Sequence, residues 1–276
     1  MRSLKFTILP PPAMLQQDVE CIRIGEHSGE EGAAIKVAPN ALPGIAFQHR
    51  DGQPALENII TPSGITSTPT LFLYGAGTEP SVMNFKNGSY ATIQVLLKPH
   101  ALKTLFGINA SALSNGHAEL DEFSTDDLNT QLMEARTEQQ RVTYLLNFLA
   151  TKLKEENKRD TLIEESLRLI HRHIASISVK FLLETFCISE RHFERRFSQT
   201  VGVSPRSYIR VRRFNEAIRL IKTGQYEKLT DIAHGLCYYD QSHFIRDIKT
   251  FSGMTPKDIS FKEGDSYHNQ LPYSYV

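Results

Sequence analysis

The chain has 276 residues, 40% of them hydrophobic, and its 31 basic side chains balance 31 acidic ones. That length holds two domains of ordinary size, each with its own core, and the balanced total leaves the question of a polyanionic partner to the local distribution of charge. Three cysteines, Cys21, Cys187 and Cys237, lack metal-ligand spacing, which excludes a disulfide framework and a cysteine zinc site. No run of about 18 apolar residues exists, and the opening MRSLKFTILPPPAMLQQDVE lacks an apolar stretch of signal-peptide length before its prolines. The expectation is a soluble, cytoplasmic protein in a reducing compartment, without contact to a membrane.

The charge is unevenly spread. Residues 160–263 carry 17 Lys and Arg against 13 Asp and Glu, leaving 14 against 18 elsewhere, and within 189–222 nine basic residues face three glutamates. A basic stripe of this kind is the electrostatic footprint of a nucleic-acid surface.

In chain order, the first ~120 residues alternate turn signals (PGIAF, RDGQ, TPSG, YGAG, KNGS) with short apolar runs such as TLFLY and YATIQVLL. In the last run Ala91, Ile93, Val95 and Leu97 alternate with Tyr90, Thr92 and Gln94, predicting a strand with one buried face, and the preceding Asn87-Gly88 predicts a hairpin turn. Several such strands predict a β-rich sandwich or barrel, closed by a short helix PHALKTLFG between Pro99 and Gly107. From Asp127 to about Glu156 the apolar period becomes three to four, through Leu128, Leu132, Ala135, Val142, Leu145, Leu149 and Leu153. This predicts one long amphipathic helix, covered either by its own domain or by a second copy of the chain. The charged KEENKRD after it reads as a linker.

Beyond Thr161 the signals are all helical. TLIEESLRLIHRHI places Ile163, Leu167, Ile170 and Ile174 on one face. SVKFLLETF is capped by Ser178, CIS breaks it, and SERHFERRF starts a helix with Phe193 and Phe197 inward and Arg191 and Arg195 outward. SPRSYIRVRRFNEAIRLIKTG predicts about 18 helical residues between Ser204 and Gly224, roughly 27 Å long. LTDIAHGL, CYYD and QSHFIRDIKTF then repeat the short helix, break and second helix, with Phe244, Ile248 and Phe251 opposite Ser242, Arg246 and Lys249. Short helix, tight turn and second helix is the helix-turn-helix layout, whose second helix enters the major groove. Two of them on a spacer about one DNA turn long would address successive grooves.

On these motifs, residues ~161–262 resemble the DNA-binding domain of the AraC/XylS family of transcriptional regulators. The likeness is carried by ISERHFERRFSQTVGVSPRSYIRVRRFNEAIRLI and by LTDIAHGLCYYDQSHFIRDIKTFSGMTPKDI, whose FSGMTP is a late family signature. LLKPHALKTLFG and the segment after it are similar to the amino-terminal domain of some AraC-type regulators. The resemblance implies an α+β protein of bacterial type. A β-rich effector-sensing or dimerisation domain with a long helix spans residues 1–157, an all-α double helix-turn-helix domain spans 158–264, and 265–276 form a flexible tail. It implies promoter DNA and RNA polymerase as partners, an activating role, and no cofactor or catalytic residue, and it admits a small-molecule effector and a homodimer.

Carried over position by position, the resemblance assigns base reading to Arg191, Glu194 and Arg195 in the first reader and to Gln241, Ser242, His243 and Arg246 in the second. Arginine bonds guanine bidentately, glutamine bonds adenine, and glutamate accepts from cytosine, so these types suit the task. His243 lies between the two faces, where capping or packing is the alternative. Arg210, Arg212, Arg213 and Lys249 are expected at phosphates; Arg196 and Arg206 read as solvated surface.

This chain departs from the family at Cys187 and Cys237, which replace small turn residues, a glycine in the second turn, predicting a second turn shaped differently from that of its relatives. Ile248 stands where phenylalanine is usual. The two cysteines read either as inert small hydrophobes or as a thiol-based redox switch. The competing functional reading is a β-barrel metal enzyme fused to a DNA-binding domain, but His27, His49, His100 and His117 are scattered and show no ligand pattern.

Overall fold

A computed structural model describes residues 3–28, 30–50, 52–123, 127–155, 159–224 and 226–261. Ten strands occur among them: β1 (Ser3–Leu9), β2 (Val19–Ser28), β3 (Ala34–Val37), β4 (Gly44–His49), β5 (Leu56–Thr61), β6 (Gly64–Thr66), β7 (Leu71–Tyr74), β8 (Ser81–Phe85), β9 (Tyr90–Leu97) and β10 (His117–Glu119). They form two antiparallel sheets, ordered β1-β2-β9-β4-β7-β10 and β3-β8-β5-β6. The helices of this half are α1 (Ala101–Phe106), α2 (Leu128–Glu134) and α3 (Glu138–Lys152).

The two-residue period of the strands gives the six-stranded sheet two different faces. Ile22, Ile24, Ile45, Phe47, Ile93 and Val95 point outward and are sealed by Leu102 and Leu105 of α1 and Leu145 and Leu149 of α3, in one apolar core. The alternate residues, among them Arg23, Tyr74 and Gln94, face the smaller sheet across a cavity.

Two expectations fail here. Asn87-Gly88 makes no hairpin, because β8 and β9 belong to different sheets. Gly88 does take a positive φ of 102°, but it serves a crossing between layers, closely packed on the Arg50 guanidinium. The long helix is two helices broken at 135–137, where the Thr137 hydroxyl accepts the N–H of Gln140 and so starts α3. The buried Arg141 secures the break by donating to the carbonyls of Leu132 and Ala135, at 2.9 and 2.7 Å, and pairing with Glu138. The apolar stripe itself packs within its own half.

The remaining helices are α4 (Thr161–Arg172), α5 (Val179–Phe186), α6 (Glu190–Val201), α7 (Pro205–Thr223), α8 (Leu229–Gly235), α9 (Gln241–Ser252) and α10 (Pro256–Phe261). Helix α7 runs through their common core, burying Tyr208, Val211, Phe214 and Ile218 against Phe193 and Phe197 on one side and Phe244 and Phe251 on the other. The two halves are packed together. Helix α1 and the 3-10 turn Ala110–Leu113 lie against α6, and Ala38, Ala41 and Ala76 from loops of the β-rich half enter the helical core. Residues 156–158 of the expected linker and the tail 265–276 lie outside the described residues.

Candidate nucleic-acid interface

Helix α5 begins at Ser178, whose hydroxyl accepts the N–H of Phe181, and ends at Cys187 in the left-handed conformation (φ 48°). The second turn has the same shape. Cys237 sits at φ 52°, between α8, whose Asp231 carboxylate accepts the Lys228 N–H at 2.7 Å, and α9, capped by Asp240 on the His243 N–H at 2.6 Å. In both turns cysteine occupies the conformation that glycine adopts freely, and the flanking helices hold it there. Both thiols are exposed rather than buried.

The two second helices present matching outer faces. In α6, Phe193, Phe197 and Val201 are buried, while Arg191, Glu194 and Arg195 are exposed and make no ion pair among the described residues, not even with one another. They line a shallow cleft with Ser198 and Ser204. In α9, Phe244, Ile248 and Phe251 are buried and Gln241, Ser242, Arg246 and Lys249 are exposed. His243 takes its alternative role in part: its ring lies edge-on to Tyr238 and its Nε2 is 3.8 Å from the buried Asp247 carboxylate.

The expectation of a phosphate contact is corrected at Arg212, and Arg210 and Arg213 are engaged within the protein. Arg212 is only 7% exposed, enclosed by the packing of α7, and burial pushes its guanidinium below the usual range. Arg210 forks onto Asp247 at 2.7 and 3.1 Å and lies over the Phe251 ring at 4.9 Å, so it ties α7 to α9. Arg213 donates to the carbonyl oxygens of Ile174 and Ile177, at 3.4 and 3.1 Å. Of the three, Arg212 alone is enclosed; Arg210 stays exposed beside Asp247, and Arg213 is half-buried. Lys249 remains exposed, as does Arg206 on the first turn of α7, whereas Arg196 forks onto Asp160 at 2.7 and 2.9 Å.

Two helix-turn-helix units on one shared core helix, each turning an exposed polar face outward, constitute a double helix-turn-helix DNA-binding domain. A family described as a helix-turn-helix domain matches residues 182–260. The arrangement is similar to the double helix-turn-helix layout of AraC/XylS regulators. A second family, a domain of unknown function (DUF6597), matches residues 7–119.

Among solved structures, ToxT from Vibrio cholerae with a bound unsaturated fatty acid is similar at 14% identity and TM-score 0.48, over 95% of this chain and 97% of that one. The carboxy-terminal domain of AraT, a response regulator from Geobacillus stearothermophilus, is similar at 18% identity and TM-score 0.34, over 39% and 94%. A protein of unknown function from Listeria innocua is similar at 27% identity and TM-score 0.33, over 36% and 93%. No curated protein matches the chain.

The sequence reading missed the cavity between the sheets, about 370 Å³ in volume. Its signal was present in VECIRIGE, where Cys21, Arg23 and Gly25 alternate with Ile22 and Ile24, placing a cation on an inward face. Among the described residues no group of three His, Cys, Asp or Glu is placed to hold a metal, and no helix is long and apolar enough to cross a membrane.

Proposed function

We propose that the protein is a cytoplasmic, sequence-specific transcriptional regulator of bacterial promoters. It reads two successive major grooves through α6 and α9 and activates by engaging RNA polymerase. The observation that carries this reading is the pair of exposed polar faces, Arg191–Glu194–Arg195 and Gln241–Ser242–Arg246, whose side chains make no ion pair among the described residues, joined by a helix of 19 residues, about 28 Å long. Residues 158–264 bind DNA, with Lys249 and Arg206 on phosphates, and residues 1–157 sense a small molecule and bring a second copy to the promoter.

A physical route connects the two halves. Asn40, Leu42, Gly75 and Gly77 line the cavity, while Ala41 and Ala76, interleaved with them, pack in the helical core. Gly75 lies hard against the Leu113 carbonyl, and Ala110 of the same turn abuts Gly202 at the end of α6. An occupant that shifts these loops shifts the first reader, which is the differential contact that coupling between sites requires.

The test is selection of duplexes from a random library by the full chain at about 150 mM salt, where non-specific contacts are weak. An enriched motif of two half-elements roughly one helical turn apart, about 10 bp, is expected. Retention of all sequences alike would overturn base reading.

A further inference from the structure

Resting on the reading of the cavity as a sensory site, we propose that its ligand is a monocarboxylate with an apolar, ring-bearing body, anchored through its carboxylate by Arg23. Arg23 is 8% exposed, and its guanidinium makes no hydrogen bond or ion pair with any described residue; it stands 5.8 Å from the centre of the Phe6 ring. A buried cation without an anion is costly, and proteins pair such groups. The carboxylate that lines the cavity, Glu79, is engaged at the rim with the Ser63 hydroxyl at 2.6 Å.

The polar side chains beside Arg23 include two that can donate. Gln94 is its cross-strand partner on β9, and the Gln94 side chain has no hydrogen bond among the described residues. One row away, Tyr74 folds its ring over Gly44, where a Cβ would stand 2.4 Å from the phenol oxygen, and that hydroxyl is likewise without a hydrogen bond among the described residues. Burial raises the Tyr74 phenol far above its usual range, so it stays a donor, and burial lowers the Arg23 guanidinium, the sense in which an anion would restore it. A guanidinium fork, a phenol and an amide on one sheet face match a carboxylate held bidentately.

The rest of the cavity sets the body of the ligand. Ile35, Leu56, Met83 and Phe72 are apolar, and Phe85 and Tyr90 stack in parallel with centroids 4.3 Å apart, offering a flat wall. A volume near 370 Å³ falls at the small end of the range for ligand pockets, about 300–1,000 Å³. One cation balances one negative charge; a phosphate monoester, at about −1.5 to −2 near pH 7, would leave charge buried and uncompensated.

The test is calorimetric titration of the full chain with 4-phenylbutyrate, its neutral isostere 4-phenylbutyramide, and 3-phenylpropyl phosphate, with DNA affinity measured alongside. The acid is expected to bind at least tenfold tighter than the other two. Arg23→Met should weaken the acid by about tenfold to a hundredfold, leave the amide unchanged and raise the unfolding temperature of the unliganded protein, while Arg23→Lys keeps a preference for the acid. Equal binding of acid and amide, preference for the phosphate, indifference to Arg23→Met, or binding of none of the three overturns the assignment. Arg23-dependent binding of the acid with unchanged DNA affinity would keep the ligand class and remove the sensory reading; a DNA response to the amide alone would do the reverse.

Discussion

Arg159, at the start of the helical half, places its Nη2 2.5 Å from the carboxylate of Asp18, which is buried to 1% exposure beneath the β-rich half. The same guanidinium reaches Glu164 at 3.2 Å, and His100 lies 3.4 Å from the other Asp18 oxygen. Removing the cation strands a buried carboxylate, so Arg159→Ala is expected to destabilise by about 2–3 kcal/mol. Asp18→Asn, which removes the charge that needs a partner, should cost less. Urea unfolding of both variants measures the difference, and equal losses would show that the pair contributes only packing.

Base reading and backbone contact separate cleanly in mutants of the exposed faces. Arg195→Ala should cost roughly 1–3 kcal/mol on the selected site and relax discrimination at one position. Lys249→Ala should weaken all sequences alike and reduce the salt slope by about 0.9. Arg212→Ala belongs to neither class. Its guanidinium is enclosed, so the loss appears in thermal stability with the salt slope unchanged. Salt titrations of the three variants on selected and random duplexes decide each case.

Gly202 ends α6 at φ 94°, and a Cβ there would come 3.0 Å from the Ala110 carbonyl oxygen. Gly202→Ala therefore strains the backbone and presses on the β-rich half at once, costing about 1–2 kcal/mol in stability. On the proposed coupling route it also changes DNA affinity, whereas Gly224→Ala, at φ 65° with open space around it, should strain the backbone alone. Comparing the two variants by unfolding and by DNA titration isolates the contribution of the interface.

Burial lowers the Lys222 ammonium on α7 from its ordinary 10.5 to about 8. The folded state then holds its proton less tightly than the unfolded chain. Below about pH 8 both states are charged and the fold bears the full penalty; as pH rises from about 8 to 10.5 the penalty is relieved. Lys222→Met should stabilise at pH 7, with an advantage that shrinks through that window. Unfolding at pH 7, 9 and 10.5 checks the trend.

How much the sequence disclosed depended on how local the cause was. Helices α6 and α9 were legible because Phe193, Phe197, Phe244 and Phe251 repeat at helical spacing; the cap residue Ser178 likewise marks where α5 begins. Arg195 and Arg212 look alike in a sequence; only the packing of both reading units around α7 separates an outward arginine from an enclosed one. Asn87-Gly88 states that the chain turns, not which strands flank it, since pairing is a long-range property. The break at 135–137 was hidden because the apolar spacing continues across it, while its support comes from the Arg141 side chain folding back. The cavity escaped notice because a lone arginine in a strand acquires meaning only when the opposite sheet closes over it.

The unbroken course of α7 makes the distance between the two readers a matter of rotational phase. Each residue in a helix advances it by about 100° and 1.5 Å. One residue inserted at its midpoint would swing α9 by roughly a quarter turn and carry Gln241 and Arg246 off the groove next to the one that Arg195 reads. Four inserted residues would nearly restore the angle, within about 40°, and lengthen the span by about 6 Å. The protein's tolerance for operator spacing is thus written into a residue count, so a length series in α7 should show affinity that oscillates with insertion size instead of declining steadily.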